Sequence, residues 1–279
     1  MSTRGLVLGG GGITGIAWET GLAAGLLELG VDLGDADLVV GTSAGSVVGA
    51  QLRSGTPVTE LYARQISTPV PAPTPSFGLS VLLGFASAAL LSRGDPERMG
   101  RRLGAWAVKR AAAGRTPTLA ARLDAIRARL TSLEWPERSL LVTAVEAGLG
   151  ELRVFDGTDG TSLLDAVAAS CAVPGVYPPV PIGAQTYVDG GARSGTNADL
   201  AAHCDAVLVL APIDRSRGPM RSATQQLGDT RHVVLTPDAA SRTAIGNNVL
   251  AVSARPASAR AGFAQAAAVA DEVRALWAR

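Results

Sequence analysis

Residues 1–21 read MSTRGLVLGGGGITGIAWETG, and this opening stretch decides the fold. The apolar run Leu6–Leu8 is followed by the glycines Gly9–Gly12 and then by a helix-like pattern. Four successive glycines are costly in chain entropy, so bare backbone N–H groups must be needed there. Gly10-x-Gly12-x-x-Gly15 matches a dinucleotide-binding fingerprint placed between a strand and a helix. That fingerprint also wants an acidic residue at the end of the second strand. Asp37 stands instead at the beginning of that strand, and Asp32 and Asp35 lie in the loop before it. A glycine turn at a helix N-terminus has another use, which is to aim amides and the helix dipole at a developing negative oxygen. That use needs a nucleophile nearby.

Outward from this unit, short β-rich runs alternate with longer helical ones. Strands are predicted at 4–9, 37–41, 139–147, 151–156, 185–190, 206–212 and 232–237, and helices at 15–30, 43–54, 96–111, 117–130, 162–170, 197–203 and 257–278. Several strands are continuous apolar runs, as strands buried on both faces of a parallel sheet are. The rhythm predicts an α/β chain with one mostly parallel, doubly wound sheet flanked by helices. ELRVFD follows its predecessor after a few residues and should pair with it antiparallel. The Pro-rich TPVPAPTPS (68–76) breaks the rhythm, so 68–130 reads as a lid or cap inserted into a single domain spanning 1–279.

Gly41-Thr42-Ser43-Ala44-Gly45 is a G-x-S-x-G, a weak pattern by itself in a chain with 33 glycines. Its setting strengthens it: DLVV precedes it and a helical stretch follows, the strand–sharp turn–helix context that exposes a nucleophilic serine. A plain serine helix cap is the bland alternative. Gly41 and Gly45 flank the serine because side chains there would collide. Strands 4–9 and 37–41, joined by one helix, should be parallel neighbours, bringing the glycine tract beside Ser43 as an oxyanion hole.

A serine hydroxyl needs a base. His203 lies in a helix-like stretch and His232 begins a strand, the wrong end for a catalytic base. Asp189 in TYVDGG ends an apolar-aromatic strand before Gly190 and Gly191. Asp-Gly-Gly is also a common turn signal. With its pKa raised by burial, Asp189 could take the Ser43 proton directly, making a Ser–Asp dyad.

Composition sets the outer bounds. The net charge of +1 calls for no nucleic acid, and Cys171 and Cys204 form neither a disulfide framework nor a metal cluster. LVL is too short for a secretory apolar region, so a cytoplasmic, reduced, soluble protein is expected. Residues 77–91, FGLSVLLGFASAALL, carry no charge yet fall short of a bilayer span. From Arg93 to Arg129 follow ten basic residues against Asp95, Glu97 and Asp124. A buried helix followed by solvated helix faces accounts for this pattern; so does an apolar flap beside a cationic, peripheral membrane-facing surface.

Together GGGGITG, GTSAG and VDGG, with ASCAVPGVYPPV (169–180) before the last, resemble the patatin-like phospholipases. The resemblance runs from the first strand to about residue 200 and implies a three-layer α/β/α fold. It implies a lipid acyl hydrolase acting on fatty-acyl esters of phospholipids or neutral glycerolipids through an acyl-enzyme, with no metal or cofactor. Ser43 then corresponds to the nucleophile, Asp189 to the base, and Gly10, Gly11 and Gly12 to the oxyanion hole, with Gly15, Gly41, Gly45, Gly190 and Gly191 supporting the motifs. One position departs: Thr14 stands where the family's glycine motif carries a basic residue. A catalytically weak or inactive lipid-binding relative is the reading Thr14 favours instead.

Overall fold

Leu6, Val7 and Leu8 are fully buried because β1 (Arg4–Leu8) runs through the middle of the sheet, parallel to β2 (Leu38–Thr42) on one side and β7 (Ala206–Leu210) on the other. The structure, a computed structural model, describes residues 3–68, 79–214 and 220–278. Hydrogen-bonded neighbours follow the order β5-β6-β3-β2-β1-β7-β8, with β4 added on β3. The remaining strands are β3 (Leu140–Glu146), β4 (Leu152–Phe155), β5 (Val180–Ile182), β6 (Gln185–Asp189) and β8 (His232–Leu235). β4 forms the antiparallel hairpin with β3 that the short connection predicts.

Alternation along the buried strands divides the core into two layers. Leu6, Leu8, Val39 and Leu208 face the layer of α1 (Gly12–Glu28), α2 (Ala44–Arg53), α7 (Leu163–Ser170) and α10 (Arg255–Trp277). Val7, Val40, Val207 and Val209 face the opposite layer, with Ala198, Ala201 and Leu227 of α8 (Ala223–Leu227). The fold is therefore a mixed α/β sheet flanked by helices on both faces. α10 is Ala-rich because it lies backbone to backbone on α1: a Cβ on Gly21 would sit 2.0 Å from the Ala259 carbonyl oxygen.

β6 departs from the parallel pattern. Ala144 of β3 pairs with both Arg153 of β4 and Asp189 of β6, so β4 and β6 take opposite edges of β3. Val142 likewise pairs with Gly41 of β2 and with Phe155 of β4, so β2 shares its edge of β3 with β6. β2 occupies that edge up to Thr42 opposite Thr143; β6 enters antiparallel from the far end and stops with Asp189 opposite Ala144. The two strands meet head to head where β2 leaves the sheet.

Other elements differ from the sequence expectations. α1 begins at Gly12, inside the glycine tract, and the helix expected over 197–203 is one 3₁₀ turn, Ala198–Ala201. β5, α3 (Val58–Ile66), α8 and α9 (Ala239–Ile245) have no counterpart in the pattern reading; β5, α8 and α9 are too short to build a period. Within the inserted region lie α4 (Leu79–Leu91), α5 (Pro96–Ala112) and α6 (Leu119–Arg127), while 69–76 of the Pro-rich stretch fall outside the described residues. α5 is capped by Asp95, whose side chain accepts from the Arg98 N–H, with Pro96 in its first turn. Its Met99, Leu103 and Ala107 pack on Val145 and Val188. α4 is not a buried helix: Val81 and Ala88 are covered, but Leu82, Leu83, Leu90 and Leu91 are more than half exposed. Among the described residues, no helix is long and apolar enough to cross a membrane.

Candidate active site

At the end of β2 the chain turns so sharply into α2 that Ser43 adopts φ 53° and ψ −113°, a conformation that L residues rarely hold. A Cβ on Gly41 would fall 2.6 Å from the Ser46 Cα, and one on Gly45 would fall 2.0 Å from the Leu8 carbonyl oxygen. Both flanking glycines are thus required by space. The Gly45 N–H donates to the Gly9 carbonyl at 3.0 Å, tying the elbow to the first glycine loop.

The C-terminal end of α7 holds the elbow from below. The Ser43 N–H donates to the Ser170 hydroxyl at 2.9 Å, while the Ser46 hydroxyl and the Cys171 thiol both donate to the Ser43 carbonyl, at 2.7 and 3.2 Å. The same segment holds Asp189, whose N–H donates to the Ala172 carbonyl at 3.0 Å. One short stretch, Ser170–Ala172, thereby fixes both residues. Sequence reading found ASCAVPG but assigned it no physical role.

Asp189 is 4 % exposed. Its Oδ1 accepts the Gly191 N–H at 2.7 Å, and Oδ2 is buried without a hydrogen-bond partner. Burial raises its pKa from 3.8 to about 6, against the opposing pull of the Ser43 hydroxyl, the Gly191 amide and the Arg122 charge. The hydroxyl is near enough to act on the carboxylate, yet no well-formed hydrogen bond joins them. Asp189 reaches this place through the head-to-head meeting of β2 and β6, and not as one more carboxyl end of a parallel strand.

In the glycine loop, the Gly9 N–H donates to the Leu210 carbonyl at 2.9 Å and the Gly10 N–H to the Gly195 carbonyl at 2.8 Å. Gly10 therefore has its amide engaged. Gly11 and Gly12, at the start of α1, have no hydrogen-bond partner for their amides among the described residues. No side chain caps this helix and no acidic residue stands in its first turn, so its positive end is uncompensated. Gly12 has φ +62°, and a Cβ there would meet the Val249 carbonyl oxygen at 2.7 Å. A Cβ on Gly10 would lie 3.6 Å from the Ser43 Cβ, which sets the loop against the serine. Thr14 is buried, and its N–H and hydroxyl both donate to the Val249 carbonyl, at 3.0 and 3.2 Å. Where a basic residue was expected, the chain has a clasp between the loop and its C-terminal part.

A cavity of about 270 Å³ collects these groups: Gly10, Gly11 and Gly12, Ser43, Asp189 and Gly191 all line it. Phe85 of α4, Met220, Val249 and Leu250 make the rest of its wall largely apolar. Of the supporting glycines, Gly15 and Gly190 lie behind the wall, Gly190 packed against Thr143. Val249 and Leu250 carried no signal in the sequence because they are ordinary apolar residues in a coil. Glu19 was missed as well. It is fully buried in α1 with both carboxyl oxygens unpaired, and burial holds its pKa well above the usual carboxylate range against the Gly9 amide.

The histidines stand apart. His203 is exposed beyond the 3₁₀ turn, and His232 sits on the edge strand β8 with Nδ1 2.6 Å from the Thr230 carbonyl. Neither lines the cavity. Among the described residues no group of three or more His, Cys, Asp or Glu is placed to hold a metal ion.

A family profile described as patatin-like phospholipase matches residues 6–202, from β1 through the 3₁₀ turn after Asp189. The chain belongs to the patatin-like phospholipase family. Membership implies lipid acyl hydrolase activity. Among solved structures, the patatin-like chain is similar to VipD from Legionella pneumophila, at 14 % identity and TM-score 0.46, covering 98 % of this chain and 67 % of that one. It is also similar to the type III effector protein ExoU, at 19 % identity and TM-score 0.36, covering 95 % and 53 %. A chain of the heterodimeric ExoU–SpcU complex from the type III secretion system of Pseudomonas aeruginosa matches at 17 % identity and TM-score 0.42, covering 99 % and 52 %. The chain thus spans between about half and two thirds of the length of these structures. No curated protein matches its sequence. The family match stops at residue 202, so Val249 and Leu250, which close the cavity of this patatin-like chain, lie beyond it.

Proposed function

We propose that this chain is a serine hydrolase of fatty-acyl esters working through a Ser43–Asp189 dyad. The observation that carries the reading is the convergence on one apolar cavity of Ser43, Asp189, Gly11 and Gly12, the amides of the two glycines having no partner among the described residues. In the first step the Ser43 hydroxyl attacks the acyl carbonyl and Asp189 accepts its proton. The carbonyl oxygen, now negative, is held by the Gly11 and Gly12 N–H groups at the positive end of α1. Gly10 contributes by leaving open space beside Ser43, its own amide being engaged with Gly195. The alcohol leaves with the proton from Asp189. Water then attacks the acyl-enzyme with Asp189 as base, releasing the fatty acid and restoring Ser43. A carboxyl whose pKa is raised to about 6 is basic enough to accept the proton and still ionised at neutral pH.

The acyl chain belongs in the apolar part of the cavity, beside Phe85 and Leu250. We read residues 1–279 as one domain with its cap over the inserted helices. The exposed Leu82, Leu83, Leu90 and Leu91 of α4, next to the basic α5, suit peripheral contact with a membrane surface from the cytoplasmic side. A second reading, a lipid-binding protein without turnover, is favoured by Thr14 in place of the family's cation and by the unclosed bond between Ser43 and Asp189. A fluorophosphonate separates the two. The hydrolase is modified at Ser43 and cleaves p-nitrophenyl acyl esters, Ser43→Ala doing neither, whereas an unlabelled wild-type protein that still binds fatty acid sustains the second reading.

A further inference from the structure

Ser43 lines two adjoining cavities. Gly12, Ser43, Val173 and Leu250 line both the apolar cavity and a narrow throat of about 20 Å³. Arg122 and Arg129 also line that throat. Through Ile13, Ile16 and Arg129 the throat adjoins a third cavity of about 170 Å³, whose polar walls are Arg64, Arg129, Arg255, Gln51 and Gln65. That volume holds several waters at about 30 Å³ each, or one tetrahedral anion with its shell.

The charges around this third cavity are unbalanced. Arg129 makes no ion pair and no side-chain hydrogen bond among the described residues. Among the described residues Arg255 donates only to the Ser67 carbonyl and hydroxyl, at 2.9 and 3.1 Å, and its Nε is buried unpaired. Arg122 donates to the Cys171 carbonyl at 3.0 Å and lies 3.6 Å over the Tyr177 ring, again with Nε buried unpaired. Among the described residues, Glu60 pairs with Arg64 at 2.6 Å on the exposed face of α3, and the Asp189 carboxylate attracts Arg122 from the apolar cavity. Burial and the neighbouring Arg122 charge push the Arg129 pKa down, so these cations repel one another. Arg129 and Arg255 gathered with no ion pair among the described residues are a net positive charge that a bound anion would neutralise. Guanidinium groups lining one space match a phosphate, whose oxygens accept parallel hydrogen bonds from a guanidinium fork.

We propose that the cavity of Arg64, Arg129 and Arg255 is a phosphate subsite. Resting on the hydrolase reading above, it takes the head-group phosphate of a phospholipid whose scissile ester lies at Ser43 and whose acyl chain fills the apolar cavity. It also places on α3, on the Arg129 loop and on α10 the positive charge that Thr14 does not supply.

The test begins with binding, which does not depend on turnover. Inorganic phosphate and sn-glycerol 3-phosphate are titrated into the Ser43→Ala chain by calorimetry. Arg129→Gln weakens both at least tenfold, and Arg129→Lys recovers part of the loss. Unchanged affinity in Arg129→Gln overturns the site; should that variant fail to fold, Arg255→Gln takes its place with the same criterion. With Ser43 intact, kcat/KM is compared on monomeric dihexanoylphosphatidylglycerol and on neutral dihexanoylglycerol. The ratio of the two falls at least tenfold in Arg129→Gln. Loss of phosphate binding with an unchanged ratio keeps the anion site but overturns its assignment to the lipid head group. If wild type cleaves neither ester, the hydrolase reading fails while the titration still decides the subsite.

Discussion

Asp189→Asn separates what the carboxylate does for chemistry from what it does to the fold. In the folded protein its pKa is about 6, against 3.8 for an ordinary aspartate, and desolvation is the main cause. Because the folded pKa is the higher one, the folded state keeps its proton longer than the unfolded state. Stability is therefore whole below about pH 4 and is lost as pH rises through about 6. At about 1.4 kcal/mol per pKa unit, ionising the buried group destabilises the fold by about 3 kcal/mol at pH 8. Asparagine is nearly the same shape, keeps Oδ1 for the Gly191 N–H, and turns its NH₂ toward the Ser43 hydroxyl, which can accept. The variant should lose about 10²–10⁴-fold in kcat while gaining up to about 3 kcal/mol at pH 8 and little at pH 4. For a chain of this size that gain raises Tm by about 6–12 °C. Thermal unfolding of both proteins at pH 4 and pH 8, with ester turnover alongside, measures both effects. A stability difference equal at the two pH values, or a less stable variant at pH 8, would refute the claim that an unpaired buried charge is held at the site.

Three further expectations follow from the same geometry. The kcat/KM profile should fall to about a tenth of its plateau near pH 5, following a group with a pKa of about 6. The inflection should persist when His203 and His232 are both replaced by glutamine, and its disappearance in that double variant would return the base to a histidine. Gly45→Ala forces a Cβ to within 2.0 Å of the Leu8 carbonyl, so Tm should drop by roughly 10 °C or the chain should fail to accumulate; a Tm within about 2 °C of wild type contradicts this. Ser170→Ala leaves the Ser43 N–H buried without its acceptor, at a cost of about 1–3 kcal/mol. Here kcat should fall more than KM changes, and wild-type kcat would show that Ser170 does not position the elbow.

Some of this site was legible in the sequence because it obeys local rules. A strand, a sharp glycine-flanked turn and a helix occupy consecutive residues, so the setting of Ser43 could be read from twelve letters. The neighbouring of β1 and β2 followed from the single helix between them. What stayed hidden depends on pairings far apart in the chain. The Ser43 N–H meets Ser170 across 127 residues, and Thr14 meets Val249 across 235. Neither pairing leaves a period or a spacing. The antiparallel course of β6 was hidden for a similar reason, since an apolar strand reads the same in either direction. Glu19 looks like an ordinary polar position on a helix until α10 covers it. The spent amide of Gly10 is beyond pattern reading altogether, because its partner, Gly195, belongs to a loop on another side of the cavity.

The site gathers two destabilising features within adjacent strand ends. A non-glycine residue in the conformation of Ser43 costs about 1–3 kcal/mol, and the ionised Asp189 about 3 more. Together they amount to a large share of the ~5–15 kcal/mol that holds a domain folded. Such features persist only where their surroundings leave the chain no alternative. Ser170–Ala172 supplies that constraint, the Ser170 hydroxyl accepting the Ser43 N–H and the Ala172 carbonyl the Asp189 N–H, while α7 packs its Leu163, Val167 and Ala168 into the main core. Relaxing the elbow would therefore pull on the same segment that fixes the carboxylate. Neither group can drift to a cheaper conformation without unseating the other, which couples the serine and the aspartate through Ser170–Ala172 although no hydrogen bond yet joins their side chains.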